Sequence, residues 1–510
     1  MAGADEAHIE VMADPDKGPL RRILRFAAEG LLPVCFMATL ALALLMRGAV
    51  DPLQGAEIGG LMGTLCMIAL LVCGEPRSTA TAFRIAIAIG VVLAAWVFVQ
   101  TLRLPELANP AWSALGGLAG PGRDTISVAP ADSRASIVVL VLPFLTFLSA
   151  LCLFPTDRKA ERLLSFIGYF GGGLAMFAIG QFLLDDNALM FGEKRFYIGS
   201  LTAPFVNRNT AGTFYGLISL VLTAQVFLAL RKVDFRRLIL GTPPNPERGP
   251  LSLRHLILTA CLIASLVALF LTRSRGAVGS AFAAFILFVP LLAILAFDPG
   301  ASRYGFRVVR RGMLKRVLVP ISTFAGVLLA GLIFADRALF RAEVQGLDDG
   351  RFCVAPAIFK AARDHQWLGT GFGTFRLFFS ALRDPECGIS GIWDRAHSVY
   401  LEAYLGLGIV FVVILIIGTC ALVIFFLQGI KTRRRLRAYP LSGLAILVLV
   451  AAHSAIDFSL QIPGFAVVFA AVTAGLVTIS KGRTLHHDRP RRSARPQPTP
   501  ASRVDTPSMK

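Results

Sequence analysis

Twelve long apolar windows are the feature that most constrains the fold of this chain. Each holds about 17 residues or more, the length that an α-helix needs to cross the hydrocarbon core of a bilayer. Hydrophobic residues make up 55% and charged residues 16% of the 510 residues, more apolar surface than a soluble protein of this length buries. The sequence therefore predicts an all-α integral membrane protein with about twelve transmembrane helices. The predicted spans are 26–46, 57–73, 83–101, 136–154, 163–184, 210–230, 255–272, 276–297, 316–335, 405–428, 441–457 and 464–480.

The distribution of basic residues predicts the orientation of these spans. Two thirds of the 51 Lys and Arg residues fall in the two tails and in the loops that follow even-numbered spans. Cytoplasmic loops carry such an excess, so both tails are predicted to be cytoplasmic and loops 102–135, 185–209 and 336–404 periplasmic. The same rule accounts for the net charge of +19, and we expect contact with membrane lipids and no nucleic-acid partner.

The longest polar segment, 336–404, is predicted to form a periplasmic loop subdomain between helices 9 and 10. Within it, residues 354–367 read as a short helix with Pro356 near its first turn. LGTGFGTF (368–375) has no preceding strand, which favours a tight glycine turn over a nucleotide-binding loop. The predicted organisation is a cytoplasmic tail (1–25), helices 1–9 (26–335), the loop subdomain (336–404), helices 10–12 (405–480) and a disordered basic cytoplasmic tail (481–510).

A histidine stands where that polar segment meets the tenth span, in RAHSVYLEAY (395–404). If a regular helix begins near Ala396, His397 and Tyr400 share a face, and Glu402 points away from the imidazole toward Ser398. The positive end of the helix dipole disfavours imidazolium, so a neutral His397 would suit a general base. The alternative is an interfacial histidine beside aromatic-belt tyrosines.

Three arginines lie at predicted outer ends of helices. In FVNRNTAG, Arg208 lies beside the start of the sixth span, with Asn209 or Thr210 as its cap, a good anion site. In TRSRGA, Arg273 and Arg275 lie on the face that the positive-inside rule leaves poor in cations, and the pair suits a diphosphate. The alternatives are a snorkelling Arg208 and headgroup contacts for the pair.

Two further pairs of residues are candidates for a role at the outer face. His453 and Asp457 are four residues apart near the outer end of the eleventh span, so they would share a helix face. They are either supporting partners of the arginines or a neutralised structural pair. Cys353 and Cys387 are the two cysteines of the long loop, and an oxidising compartment would favour a disulfide between them; two free thiols are the alternative. No residue spacing typical of a metal site occurs, so neither a metal nor a cofactor is expected.

Six short motifs occur in a fixed order along the chain: DTISVAP, FVNRNTAG, TRSRGA, LGTGFGTF, RAHSVYLEAYLGLG and HSAIDFSLQIP. In this order the sequence resembles the O-antigen ligase / O-antigen polymerase superfamily, from roughly residue 100 to 480. The resemblance implies a glycosyltransferase that moves a glycan from an undecaprenyl-diphosphate donor to an acceptor hydroxyl, on a glycan or a lipid core. The reaction would occur at the periplasmic face of the bacterial inner membrane, without a metal ion. Family members often have Asn after the histidine, where this chain has Ser398.

The resemblance also implies roles for individual residues. His397 would activate the acceptor, and Arg208 and Arg275 would hold the diphosphate. The neighbouring candidates for substrate binding are Asn207, Asn209, Arg273 and Tyr400. Two other classes remain as alternatives: a transporter or flippase for an anionic or lipid-linked solute, and a membrane scaffold. A transporter favours charged residues and broken helices at mid-membrane, where these spans carry few ionisable side chains.

Overall fold

The computed structural model describes residues 27–114, 124–234, 249–296, 350–382 and 393–482, and these are mainly helical. The helices longer than one turn are α1 (Leu32–Leu45), α2 (Pro52–Cys73), α3 (Ala80–Gln100), α4 (Pro130–Leu153), α5 (Asp157–Leu184), α6 (Arg208–Leu230), α7 (Leu253–Leu271), α8 (Arg275–Ala296), α9 (Gly350–Asp364), α10 (Phe375–Ser380), α11 (Val399–Leu407), α12 (Ile409–Thr432), α13 (Ala438–Ser454) and α14 (Pro463–Lys481). A π-helical turn, Ala27–Leu31, precedes α1. Between α5 and α6 lies a small antiparallel hairpin of β1 (Ala188–Leu189) and β2 (Gly192–Glu193).

Nine helices in the described part of the chain are long and apolar enough to cross a membrane, and two shorter apolar helices, Glu29–Leu45 and Ala438–Ser454, accompany them. Eleven of the twelve predicted spans overlap these helices. The remaining window, 316–335, lies outside the described residues, as do the predicted tail 1–25 and all of the tail 481–510 except its first two residues. The prediction of a helical membrane protein is confirmed, and the total of twelve spans stays a prediction.

Residue size decides which helices lie inside the bundle. The most apolar stretch of α12 is only 11% buried, whereas that of α14 is 94% buried. The α12 sequence is rich in Ile, Val, Leu and Phe, while α14 is rich in Ala, Gly, Thr and Ser. Small residues let neighbouring backbones approach closely, and large aliphatic residues suit lipid. Helix α14 is therefore the packed centre of the bundle. It contacts α4, α5, α12, α13 and the turn Arg77–Thr79 that precedes α3.

The segments described between α8 and α12 form a small body with its own apolar core. Val354 and Ile358 of α9 pack there with Phe375 and Phe379 of α10 and with Leu405 of α11. Helix α9 begins at Gly350 and ends at Asp364, so the predicted bounds were wrong by several residues, and Pro356 lies in the helix interior. Pro356 is the seventh residue of the helix and has no N–H to donate back to the preceding turn.

Three glycines of LGTGFGTF fix this small body to the bundle. Gly369, Gly371 and Gly373 all have positive φ, which a residue with a Cβ rarely adopts. A Cβ on Gly371 would also collide with the hydroxyl of Ser127 in the DTISVAP motif. The predicted tight glycine turn is therefore present, and close backbone approach is the reason for its glycines.

The same turn holds the helix that follows the candidate histidine. The Gly371 N–H donates to the carbonyl of Gly406 at the end of α11. The buried Gln100 amide donates to the carbonyls of Leu368 and Gly406 (2.6 and 2.9 Å). Gly408, with φ +62, then separates α11 from the span α12. The tenth span therefore begins at Ile409, and the predicted start at 405 was wrong because α11 is a separate short helix.

Candidate active site

Four of the sequence motifs meet at one end of the helical bundle, and Asn209 connects them. Its side-chain oxygen accepts a hydrogen bond from the Ser274 hydroxyl (2.8 Å), and its amide nitrogen donates to Asp457 Oδ1 (3.0 Å). Asp457 in turn lies 3.9 Å from Nδ1 of His397. One asparagine therefore joins the start of α6, the turn before α8, the turn between α13 and α14, and the segment before α11.

The N-cap of α6 differs from the predicted residues. Asn207 is the N-cap, and its side chain accepts from the Asn209 N–H (2.7 Å). The prediction of Asn209 or Thr210 as the cap was wrong, because an N-cap residue needs an extended backbone and both of these are helical. The side chains of Asn207 and Asn209 are thus both engaged with protein groups, and both residues are buried.

Arg208 is the first residue of α6 and is held on an aromatic ring. Its guanidinium carbon lies 5.5 Å from the centre of the Tyr197 ring, a cation–π contact, and Nη1 donates to the Ser200 hydroxyl at 3.5 Å. Tyr197 and Ser200 come from the loop after the small hairpin. Cation–π stacking is compatible with anion contacts along the edge of a guanidinium, and Arg208 is the first residue of a helix, whose positive dipole end favours an anion.

The other two candidate arginines flank Ser274 in the turn between α7 and α8. Arg273 has a left-handed backbone (φ +53) and an exposed side chain. Arg275 is the first residue of α8 and is also exposed. It lines a groove of about 420 Å³ whose other walls are small or aliphatic residues. These are Gly276, Gly279, Ser280, Ala283, Ala452 and Ile456.

His397 lies outside the helix that the sequence placed it in. Helix α11 begins at Val399 with Ser398 as its cap, and His397 has a left-handed backbone (φ +53). The predicted shared helical face of His397 and Tyr400 was therefore wrong. The imidazole lies between the rings of Trp393 and Phe458, with centroid distances of 5.3 and 5.1 Å. These rings fix the plane of the imidazole and leave it about one fifth exposed.

Asp457 is the buried acid that faces this histidine. It follows the end of α13, but its N–H still donates to the His453 carbonyl four residues earlier (2.9 Å), so the predicted i, i+4 relation between the two residues holds. Its Oδ2 accepts from the Ser459 hydroxyl (2.8 Å) and its Oδ1 from Asn209. Burial raises the pKa of this carboxyl, but the attraction of His397 and His453 and the two donors outweigh it, and the pKa lies below its ordinary value. Asp457 is accordingly an anion at neutral pH.

The protons of this network assign the tautomer of His453. The Thr213 hydroxyl donates to the Asn209 carbonyl (2.9 Å), and the Ser459 hydroxyl donates to Asp457. His453 Nδ1 lies 2.9 Å from the Thr213 oxygen and 3.3 Å from the Ser459 oxygen. With the Thr213 proton on the Asn209 carbonyl and the Ser459 proton on Asp457, Nδ1 of His453 is the donor to both hydroxyl oxygens. His453 thus supports Asp457 through Ser459.

Glu402 was predicted to point toward Ser398, and this was wrong. Its Oε2 accepts from the Ala396 N–H (2.8 Å), and its Oε1 accepts from Arg395 (3.2 Å). Burial raises the pKa of Glu402, and Arg395 and the Ala396 N–H oppose that shift. The helical-wheel argument failed because it placed residues 396–398 inside the helix. The sequence did contain a signal for this contact. Glu402 is the fourth helical residue after the Ser398 cap, one position later than the Glu of a capping box.

Tyr400 lines a different feature, a mainly apolar cavity of about 720 Å³. Its hydroxyl donates to the carbonyl of Ala451 (2.9 Å). Arg395, Glu402 and Gln461 supply polar wall atoms near the histidine segment, and α2, α3, α4, α12 and α14 supply apolar ones. The predicted disulfide partner Cys387 lies outside the described residues, as does the side chain of Cys353. Among the residues described, no group of three or more His, Cys, Asp or Glu is arranged to hold a metal ion.

The fold and this end-of-bundle cluster define a polytopic helical membrane protein with a polar site at the ends of its helices. Residues 260–417 match the family model described as O-antigen ligase, which confirms the resemblance to the O-antigen ligase superfamily. The matched region contains Arg273, Arg275 and His397, while Arg208 and Asp457 lie outside it. No curated protein matches the chain. The family indicates a membrane glycosyltransferase of the O-antigen ligase or polymerase type.

Proposed function

We propose that this protein transfers or polymerises an undecaprenyl-diphosphate-linked glycan onto an acceptor hydroxyl at the periplasmic face of the bacterial inner membrane. The acceptor is a glycan or a lipid core. The observation that carries the proposal is the pair of hydrogen bonds of the Asn209 side chain, one accepted from Ser274 and one donated to Asp457, which link both arginine-bearing helix starts to the His397–Asp457 pair. A donor diphosphate and an attacking hydroxyl can thereby meet at one place.

His397 is the general base of the proposed reaction. Its Nδ1 faces Asp457 at 3.9 Å, longer than a hydrogen bond and within ion-pair range, so Nε2 is the nitrogen that takes the acceptor's proton. The acceptor oxygen then bonds to the anomeric carbon while the bond from that carbon to the diphosphate oxygen breaks. Asp457 stabilises the imidazolium that forms and holds the ring in the tautomer with Nδ1–H. Catalytic hydrogen bonds often shorten only when substrate binds.

Arg208 and Arg275 are the proposed diphosphate ligands. Each is the first residue of a helix, where unpaired N–H groups and the helix dipole favour an anion. Charge accumulates on the diphosphate as the glycosyl bond breaks, so these contacts strengthen in the transition state. Arg273 and the groove beside Arg275 extend the same surface. The proposed transfer uses no metal ion, as the resemblance implies, and should persist in EDTA.

Transfer by the purified protein from a lipid-diphosphate donor tests this function. We expect His397→Ala to lower turnover by about 10²- to 10⁴-fold, the usual contribution of a general base, with donor binding retained. His255→Ala is the matched control. His255 lies near the start of the 19-residue helix α7, at the end remote from the turn that bears Arg273 and Arg275. A folded His397→Ala protein with near-normal turnover would remove the histidine from the mechanism.

A deletion strain separates the two reaction types. Loss of a polymerase leaves single repeat units on the acceptor, whereas loss of a ligase accumulates lipid-linked polymer. We propose that the active site and loop 336–404 are periplasmic, and alkaline-phosphatase fusions at Gly346 and Gly241 test this. Activity at Gly346 and none at Gly241 is expected, and the reverse pattern would invert the topology.

A further inference from the structure

The segment that carries His397 is folded around the carboxylate of Glu402. This residue is 8% exposed and lies in the first turns of α11. Its side chain reaches back over the cap to the Ala396 N–H (2.8 Å), while its own N–H donates to the Ser398 carbonyl (3.1 Å). The Ser398 hydroxyl accepts from Leu401 N–H. His397 is therefore fixed on both sides, by Ala396 before it and Ser398 after it.

The backbone of His397 needs such a restraint. Its φ of +53 lies in the left-handed region, which is unfavourable for a residue with a Cβ and persists only where surrounding contacts determine it. Relaxation to a negative φ would turn the imidazole away from Asp457 and from the Trp393 and Phe458 rings. The hydrogen bond from the Ala396 N–H opposes that relaxation, since it holds the residue that directly precedes His397, while the Ser398 cap holds the residue that follows.

Glu402 also contacts the turn that carries the acid. The Gln461 side chain lies beside it and favours its charged form, and Gln461 ends the 3₁₀ turn Ser459–Gln461. Ser459, at the start of that turn, donates to Asp457. One carboxylate therefore connects the histidine segment to the segment of its acid partner. Arg395 compensates the buried charge at 3.2 Å, with 40% of its own side chain exposed.

We infer that Glu402 is a positioning residue for His397, holding the imidazole at its distance from Asp457 by binding Ala396 N–H and the Ser459–Gln461 turn. This inference rests on the proposed function, because it assigns His397 the role of the base. It places no substrate on Glu402 itself. Misplacement of a catalytic group by about 1 Å can cost about 10²-fold in rate. We therefore expect the loss of Glu402 to lower turnover and to leave donor binding unchanged.

The test is a double-mutant cycle in the purified full-length protein, with a lipid-diphosphate donor. Glu402→Ala should lower kcat about 10- to 100-fold and leave the donor KM within about twofold. Glu402→Gln should stay within about threefold of wild type, because an amide oxygen still accepts from Ala396. In the His397→Ala background, Glu402→Ala should cause no further loss, since positioning has no effect once the base is absent.

The controls separate this inference from general damage and from the proposed function. Glu106→Ala removes an exposed loop carboxylate and should leave kcat unchanged. If Glu402→Ala fails to reach the membrane, Glu402→Asp replaces it, because the shorter side chain cannot span to Ala396. An unchanged kcat, or an additional loss in the double variant, would overturn the role of Glu402. A normal turnover in His397→Ala alone would instead contradict the proposed base.

Discussion

Replacing Asp457 by asparagine tests the link between the network and the reaction. The change keeps the size of the side chain and one oxygen acceptor for Asn209 or Ser459, but it removes the negative charge that faces His397. An imidazolium and a carboxylate 3.9 Å apart attract by about 4 kcal/mol at an effective dielectric constant of about 20. The partial exposure of His397 screens this attraction, so we expect a loss of about 2–4 kcal/mol of transition-state stabilisation.

That loss corresponds to a fall in kcat of about 30- to 1,000-fold, at about 1.4 kcal/mol for each factor of ten. The amide adds a second effect, because an NH₂ group that faces Nδ1 of His397 favours the tautomer with the proton on Nε2, which cannot act as a base. Single-turnover transfer from a lipid-diphosphate donor at saturating concentration is the measurement, and it isolates chemistry from product release.

Two outcomes would refute this reasoning. A well-folded Asp457→Asn protein with turnover within about threefold of wild type would show that the charge on Asp457 does not act on the reacting histidine. An equal loss in Asp124→Asn, the same change at an exposed outer-loop carboxylate, would show that the assay responds to net charge alone. Detergent monodispersity of each variant establishes that it is folded.

Three further predictions concern the donor site, the loop and pH. Arg275→Ala should slow transfer, and Arg275→Lys should restore it only in part because an ammonium lacks the planar fork of a guanidinium; full restoration in the same transfer assay would contradict a bidentate contact. Thiol labelling with and without reductant should show Cys353 and Cys387 protected before reduction, with a disulfide across 34 residues stabilising the loop by about 3–4 kcal/mol; complete labelling of both before reduction would disprove it. Because the folded pKa of Asp457 lies below its ordinary value of 3.8, its contribution to stability is present at neutral pH and is lost as the pH falls through the folded value. The difference in Tm between wild type and Asp457→Asn should therefore shrink below about pH 4, and a constant difference would contradict this.

The sequence predicted the helices well because hydropathy reports directly on the bilayer. The start of α6 at Arg208 and of α8 at Arg275 lies within two residues of the predicted windows, since charged residues stop at the membrane boundary. The glycine turn at 368–375 was also predictable, because glycines at alternate positions mark backbone that other residues cannot adopt. Local composition thus gave the spans and the places where polar residues collect.

The arrangement of the site was not predictable from spacing. His397 and Asp457 are 60 positions apart, and their contact depends on how α11 and the turn after α13 pack together. Spacing rules assume a regular helix, and they failed for His397 because a left-handed residue precedes α11. His397 lies just outside a helix end, where tertiary contacts rather than periodicity set the backbone.

The position of the polar cluster follows from the cost of charge in a membrane. A charged side chain at the bilayer centre is expensive, whereas helix ends offer unpaired N–H groups and access to water. Four segments therefore bring their polar residues to the same end of the bundle, and a single amide, that of Asn209, satisfies both the Ser274 hydroxyl and the Asp457 carboxylate. Because this amide has one acceptor side and one donor side, its orientation is fixed by its two partners. Buried hydrogen bonds, and not the flexible arginine side chains, therefore set the distances from Asp457 to the two helix starts that bear Arg208 and Arg275. Such preorganisation is what a reaction that accumulates charge on a departing diphosphate requires, since groups that are already in place do not have to reorganise as the charge develops.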